Sequence, residues 1–224
     1  MKKKIKIFVD FDGTISMTDV GDALFQKYAD ADWDKVVQDW KDGKISSREV
    51  FTIGCESTHI SREELFRFSD AIEIDPFFKP FFNYCRQKSY PLTVLSDGLD
   101  LYIKRILDKE GLGEIEVIAN ELTFVGENKM HAIFPYYEKG CLVCGNCKGY
   151  QIREHREDGE LIVYVGDGYS DRCAVPEADV LFAKDDLKDY CLENGIYFHN
   201  FNSFKDVLEE IKKIERELSK TEKK

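Results

Sequence analysis

Short apolar runs and longer mixed segments alternate along this chain. Residues 4–9 (KIKIFV) are β-branched and aromatic, and they predict a strand that delivers Asp10 to a turn. Leu92–Leu95 read as a second strand running into Ser96-Asp97-Gly98, and Leu161–Val165 as a third entering a turn that holds Asp167. Val180–Ala183 and Ile196–Phe198 predict a fourth and a fifth. Helical patterns separate these runs at Leu99–Glu110, Gly149–Arg156 and Ser170–Glu177, and another closes the chain at Ser203–Leu218. Strands alternating with helices predict the α/β class: a Rossmann-like, mostly parallel sheet with helices on both faces.

Residues 16–79 interrupt this alternation with four aromatic-rich helical segments, at Asp19–Tyr28, Trp33–Lys41, Ser47–Glu56 and Ser61–Phe68. The expected division is a core of residues 1–15 and 80–224 with an inserted helical cap at 16–79. Residues 119–134 predict two strands joined at Gly126–Asn128, a hairpin excursion from the core. Glu215–Lys224 is charged and is expected to be a solvated tail.

A chain of 224 residues with 43% hydrophobic residues is long enough for one sizeable core. Thirty-two Lys+Arg against 43 Asp+Glu give a net charge of −11, which argues against a nucleic-acid-binding surface. No apolar stretch approaches the roughly 18–20 residues of a membrane helix, so the expectation is a cytoplasmic protein without a membrane partner. The seven cysteines are an odd count. Cys55, Cys85, Cys173 and Cys191 follow no pattern, which is a poor disulfide framework. Cys141, Cys144 and Cys147 are evenly spaced. They are either three ligands of a Zn²⁺ ion, with His131 or His155 as the fourth, or thiols of a small-residue loop that positions Lys148, or a redox-sensitive pair.

In open α/β sheets, ligands bind beyond the carboxyl ends of the strands, where three runs deliver Asp10, Ser96 and Asp167. Asp10 and Asp12 bracket Phe11 in a turn kept tight by Gly13, so two carboxylates serve one ligand position. A carboxylate attacks phosphorus as a nucleophile, and a second serves as acid and then base. Ser96 and its turn amides suit phosphate oxygens, Lys148 brings a cation, and Asp167 with Asp171 suits a hard divalent ion. Each residue also has a plain structural reading: turn former, helix cap, solvated lysine or first-turn acid. Their convergence on one site is the stronger reading.

DFDGT at 10–14, LSDG at 95–98, the lysine of NCKG at 146–149 and VGDGYSD at 165–171 resemble, in order and spacing, the four motifs of the haloacid dehalogenase superfamily of aspartate-nucleophile phosphatases. The insertion after the first motif is similar to the cap of the phosphoserine-phosphatase-like branch. The resemblance implies that Asp10 attacks phosphorus, while Asp12 protonates the leaving alkoxide and later activates water. It also implies that Lys148, Ser96, Asp97, Gly98, Phe11 and Gly13 hold the phosphoryl group. Mg²⁺ would be bound by Asp10, Asp12 through its carbonyl, and Asp167, with Asp171 fixing its waters or Lys148. Asp10 is then expected to stay ionised, and Asp12 to titrate above the ordinary aspartate value of about 3.9.

The implied partner is a small-molecule phosphomonoester, acted on by a monomer or homodimer. The phosphoserine branch carries a cap glutamate and a substrate-gripping arginine. Here Asp19 stands near the first, and the arginine's place near Gly54 reads TIGCES, with Arg48 available only in a shifted register. CLVCGNCKG resembles methionine-salvage phosphatases acting on 2-hydroxy-3-keto-5-methylthiopentenyl-1-phosphate, and also phosphoethanolamine/phosphocholine phosphatases; the first is preferred. Phosphomutase is a further alternative. A receiver domain is disfavoured by the position of the first acids, and the remaining alternative is a metal-binding scaffold built on the cysteines. Of the cap aromatics Phe25, Tyr28, Trp33, Trp40, Phe51 and Phe66, most are expected in cap core, with one or two lining the pocket.

Overall fold

The computed structural model describes residues 4–221. Seven strands form one sheet: β1 (Lys4–Val9), β2 (Leu92–Leu99), β3 (Glu116–Val125), β4 (Lys129–Ile133), β5 (Glu160–Gly166), β6 (Val180–Ala183) and β7 (His199–Asn200). Their order is β4-β3-β2-β1-β5-β6-β7, parallel throughout except for the antiparallel β3–β4 pair. Ile7, Phe8 and Val9 of β1 follow one another without a polar break because both faces of the strand are covered there. Ile7 and Val9 join the core on one side, which also takes residues from α5 (Phe78–Lys88), α6 (Asp100–Lys109) and α9 (Phe204–Thr221). Phe8 joins the other, with residues from α7 (Lys148–His155) and α8 (Asp185–Glu193). That alternation is the two-residue period of a strand acting on two cores.

Between β1 and α5 lie α1 (Val20–Tyr28), α2 (Trp33–Lys41), α3 (Ser47–Glu56) and α4 (Arg62–Asp70). Their starts are fixed locally: Asp19 caps α1 by accepting from the Asp22 amide, and reciprocal Ser-x-x-Glu caps, Ser46 with Glu49 and Ser61 with Glu64, open α3 and α4. α4 is tied to α6 by a bidentate Arg105–Asp70 pair at 2.7 Å.

Five expectations change. The Ser170–Glu177 pattern forms two 3₁₀ turns, Tyr169–Cys173 and Val175–Glu177, because Pro176 has no N–H to continue an α-helix. The last strand is His199–Asn200 rather than Ile196–Phe198, and Tyr197 faces solvent. α5 and α8 were not anticipated. Pro80 falls in the first turn of α5, where its missing N–H leaves no bond unmade. The 119–134 hairpin is no excursion: β3 begins as a parallel neighbour of β2 and continues past it to pair with β4. The charged C-terminal stretch is helical to Thr221, and its Glu215 accepts from Tyr84 (2.5 Å), Tyr90 (2.7 Å) and Lys88 (2.8 Å); residues 222–224 lie outside the described residues.

Candidate active site

The register across the central strands sets the site. Val9 pairs with Val94 on one side and Val165 on the other, so Asp10, Ser96 and Asp167 emerge together at the carboxyl ends of β1, β2 and β5. The turn after β1 is closed by Ser16, whose hydroxyl donates to the Phe11 carbonyl at 2.9 Å and accepts from the Gly13 amide at 3.2 Å. Gly13 has φ 75°, and a Cβ there would collide with the Asp167 carboxylate, so this turn admits no side chain.

Asp10 is buried, and its Oδ1 receives the Phe11 amide at 2.7 Å and lies 2.8 Å from Lys148 Nζ. Lys148, the first residue of α7, is fully buried and also meets Asp171 Oδ1 at 2.5 Å and Ser170 Oγ at 2.9 Å. Asp171 is saturated. Besides Lys148, its oxygens accept from Tyr164 OH (2.5 Å) and the amides of Asp167 and Gly168 (2.8 Å each). Thr14 Oγ1 donates to Asp167. Asp10, Asp167 and Asp171 each present a carboxylate oxygen, all within 4.8 Å of one another.

Asp12 turns the other way. Its Oδ2 accepts from Ser96 Oγ at 3.0 Å and Tyr102 OH at 3.2 Å, and its Oδ1 from the Val20 amide at 3.1 Å. Burial and the Asp19 carboxylate push it up to about 7, against those hydrogen bonds. Asp12 therefore meets the expectation. In Asp10, burial and then Asp171 raise the pKa well above the usual carboxylate range, and Lys148 offsets this in part. Burial and Asp171 likewise push Asp167 up to about 7. The three carboxylates outnumber the one ammonium among them by two charges. A divalent cation carries that charge, so the donor set fits a hard divalent ion.

Ser96 and Gly98 line the cavity, and the Ser96 hydroxyl is shared between Asp12 and the Gly98 amide. The Asp97 carboxylate is turned to the cysteine-rich loop, accepting from the Asn146 amide (2.6 Å) and Asn120 (3.3 Å), so it anchors that loop; any contact with phosphate falls to its backbone. Asn146 also donates to the Ser96 and Ile118 carbonyls. Thr14, Tyr102, Asn146, Tyr164 and Ser170 escaped the sequence reading. Tyr102 stood four residues past Gly98, on the first helical turn facing back to the site, and that spacing was the available signal.

Over the carboxylates lies a cavity of about 390 Å³. Phe25, Trp33, Trp40 and Phe51, with Val37 and Val50, give it an apolar wall, and Asp19 and Asp22 stand on its rim. Of the six cap aromatics singled out above, four thus face the cavity, more than expected; Tyr28 instead packs edge-on to Phe68, and Phe66 lies under Arg105. Among the described residues no arginine lines the cavity, and its Lys41 faces Asp186 at 3.6 Å. A Cβ on Gly54 would fall 2.7 Å from the Phe25 ring, so that position admits no arginine. Arg48 stacks on Tyr137 outside the cavity.

The fourth cysteine of the loop cluster comes from elsewhere in the chain. Cys173 Sγ lies 3.8 Å from both Cys141 and Cys144, whereas His155 Nδ1 is bonded to the Gln151 carbonyl and His131 is exposed on β4. The expectation of a histidine partner is thereby corrected.

A doubly covered parallel sheet with this carboxylate and lysine set at its strand ends defines a phosphatase of the haloacid dehalogenase type. The sequence matches the "Putative Phosphatase" family over residues 5–213; the chain belongs to that family and is a phosphatase. It is 31% identical to Pdp3-interacting factor 1 of Schizosaccharomyces pombe (95% of this chain, 97% of the relative) and 30% to the polyol phosphate phosphatase PYP1 of Saccharomyces cerevisiae (94% of each). It is 28% identical to the 2-hydroxy-3-keto-5-methylthiopentenyl-1-phosphate phosphatase of Brevibacillus brevis (97% and 100%). Its fold is similar to that of a phosphoserine phosphatase solved as a phospho-aspartyl intermediate analogue, with TM-score 0.72 at 19% identity over 93% of this chain and 99% of that one.

Proposed function

We propose that this phosphatase hydrolyses a small phosphomonoester with an apolar tail, 2-hydroxy-3-keto-5-methylthiopentenyl-1-phosphate, through an aspartyl-phosphate at Asp10. The observation that carries the substrate reading is the aromatic and aliphatic wall facing the carboxylates, without an arginine to grip a substrate carboxylate. Such a wall binds a thioether tail by burial, at about 25 cal/mol per Å² of apolar surface. The Brevibacillus relative's name agrees with it.

Asp10 attacks phosphorus, and Lys148 holds the phosphoryl oxygens and the Asp10 carboxylate in one geometry. Asp12, titrating near 7, enters protonated, gives its proton to the departing alkoxide, and then takes one from the water that cleaves the acyl phosphate. Ser96 and Tyr102 aim Asp12 at that position. Asp171, its oxygens filled by protein donors, fixes Lys148 rather than ligating metal. Mg²⁺ would be held by Asp10, Asp167 and the Asp12 carbonyl, where it supplies positive charge to the phosphoryl oxygens. Helices α1–α4 act as the cap that excludes water from this chemistry.

Asp19 and Asp22 on the rim favour a second reading, a substrate with an ammonium or several hydroxyls at its far end, such as phosphocholine, phosphoethanolamine or a polyol phosphate. Phosphate release with Mg²⁺ across these compounds, phosphoserine and sugar phosphates separates them. The first reading predicts a kcat/KM for the methylthiopentenyl ester higher by about two decades, roughly 2.7 kcal/mol of transition-state binding. Equal or higher values for the cationic or polyol esters overturn it.

A further inference from the structure

Outside the carboxylate cluster, the densest gathering of ligand-type side chains is sulfur. Cys141, Cys144 and Cys147 lie in the loop that runs into α7, and Cys173 ends the 3₁₀ turn that carries Ser170 and Asp171. The Sγ atoms of Cys141, Cys144 and Cys173 lie within 4.8 Å of one another, and Cys147, buried, sits on the same loop between Cys144 and Lys148. All four are free thiols.

The spacing has a metric meaning. A regular tetrahedron with zinc–sulfur arms of about 2.3 Å has edges of about 3.8 Å. The Cys144–Cys173 and Cys141–Cys173 separations are both 3.8 Å. The surroundings also suit thiolates. The Cys144 amide donates to Cys141 Sγ at 3.4 Å, an N–H···S contact across the Cys-x-x-Cys turn. Cys147 occupies the N-cap of α7, where the helix dipole favours negative charge.

We propose that Cys141, Cys144, Cys147 and Cys173 form a closed four-thiolate site for one Zn²⁺ ion. A site with four protein ligands leaves no position for substrate, so its role is structural. It joins two segments that are separate in sequence but adjacent at the active site. Cys147 directly precedes Lys148, and Cys173 follows Asp171 by two residues. Zinc binding therefore fixes the start of α7 against the turn that holds Asp171, the two ends of the Lys148–Asp171 ion pair. This stands independently of which phosphomonoester is hydrolysed, because its readouts are metal content and spectrum.

The test uses the full chain purified without chelators. Its zinc content is measured by plasma mass spectrometry, followed by replacement with Co²⁺. The proposal expects about one zinc per chain and, with Co²⁺, the visible bands of a tetrahedral ion with sulfur-to-cobalt charge transfer. Cys141 is exposed, so Cys141→Ser is expected to fold as wild type by circular dichroism, while its zinc affinity in a competition titration falls on the order of tenfold or more. Cys191→Ser, in α8 away from the cluster, keeps wild-type metal content. Absence of the charge-transfer bands in cobalt-loaded wild type overturns the proposal whatever the variants do. So does zinc affinity unchanged in Cys141→Ser, iron as the stoichiometric metal, or an intact mass two hydrogens low from a disulfide within the cluster.

Discussion

Replacing Lys148 with Met removes the charge and leaves the volume nearly unchanged. The ammonium is fully buried, lying 2.8 Å from Asp10 and 2.5 Å from Asp171, and without it both buried carboxylates lose their cation. Burial alone would pull the Lys148 pKa down, but Asp10 and Asp171 outweigh it and hold it above the ordinary value, so the charged form is the one that matters. Breaking a buried pair by deleting one partner costs about 3–5 kcal/mol, most of it the burden of the charges left behind. For a chain of this size each kcal/mol moves Tm by about 2–4 °C, so Lys148→Met is expected to melt roughly 6–20 °C below wild type in EDTA. Scanning calorimetry measures this, with Lys44→Met as comparison, since Lys44 is 60% exposed and water screens its pairs with Asp39 and Asp42. Mg²⁺ should raise the Tm of Lys148→Met more than that of wild type, because it meets a larger unbalanced charge. A Tm for Lys148→Met equal to that of Lys44→Met would refute the reasoning.

Asp12→Asn should lower kcat by about 10²–10⁴ in phosphate-release assays while leaving Tm close to wild type or above it, since a buried charge is removed. Trp40→Ala, which strips one side of the apolar wall, should raise KM for an ester with a thioether tail more than it lowers kcat, read from initial rates over a substrate series. Burial alone would raise the Glu215 pKa, but hydrogen bonds from Lys88, Tyr84 and Tyr90 outweigh it and bring it to about 2. A folded pKa below the unfolded one gives stability that is present above the unfolded value of about 4.3 and lost as pH falls toward 2. Glu215→Gln should therefore cost on the order of 1–3 kcal/mol at pH 7 in denaturant titrations, and the gap should close between pH 4.5 and 2.

What the sequence disclosed and what it withheld divide along physical lines. Asp10, Ser96 and Asp167 were legible because strand runs point to their own carboxyl ends, and register then brings those ends together. The insertion helices were legible because their caps are local: Asp19, Ser46 and Ser61 each act within three residues. The hold of the Asp97 carboxylate on the Asn146 amide was not legible, because a turn acid looks alike whether its side chain faces a ligand or a loop 49 residues on. Cys173 was called patternless because its relation to Cys141 and Cys144 exists only once the Tyr169–Cys173 turn is folded against the loop. Glu215 and Tyr84 are likewise 131 residues apart in sequence. Contacts of that kind leave no local periodicity to read.

The central claim is that Asp10 carries the phosphoryl group. The most direct measurement is peptide mass spectrometry on acid-quenched wild-type enzyme during Mg²⁺-supported turnover, with Asp10→Asn run in parallel. The account predicts a phosphoryl group on the peptide containing Asp10 in wild type, and neither that group nor turnover in Asp10→Asn. Near wild-type phosphate release by Asp10→Asn would contradict it.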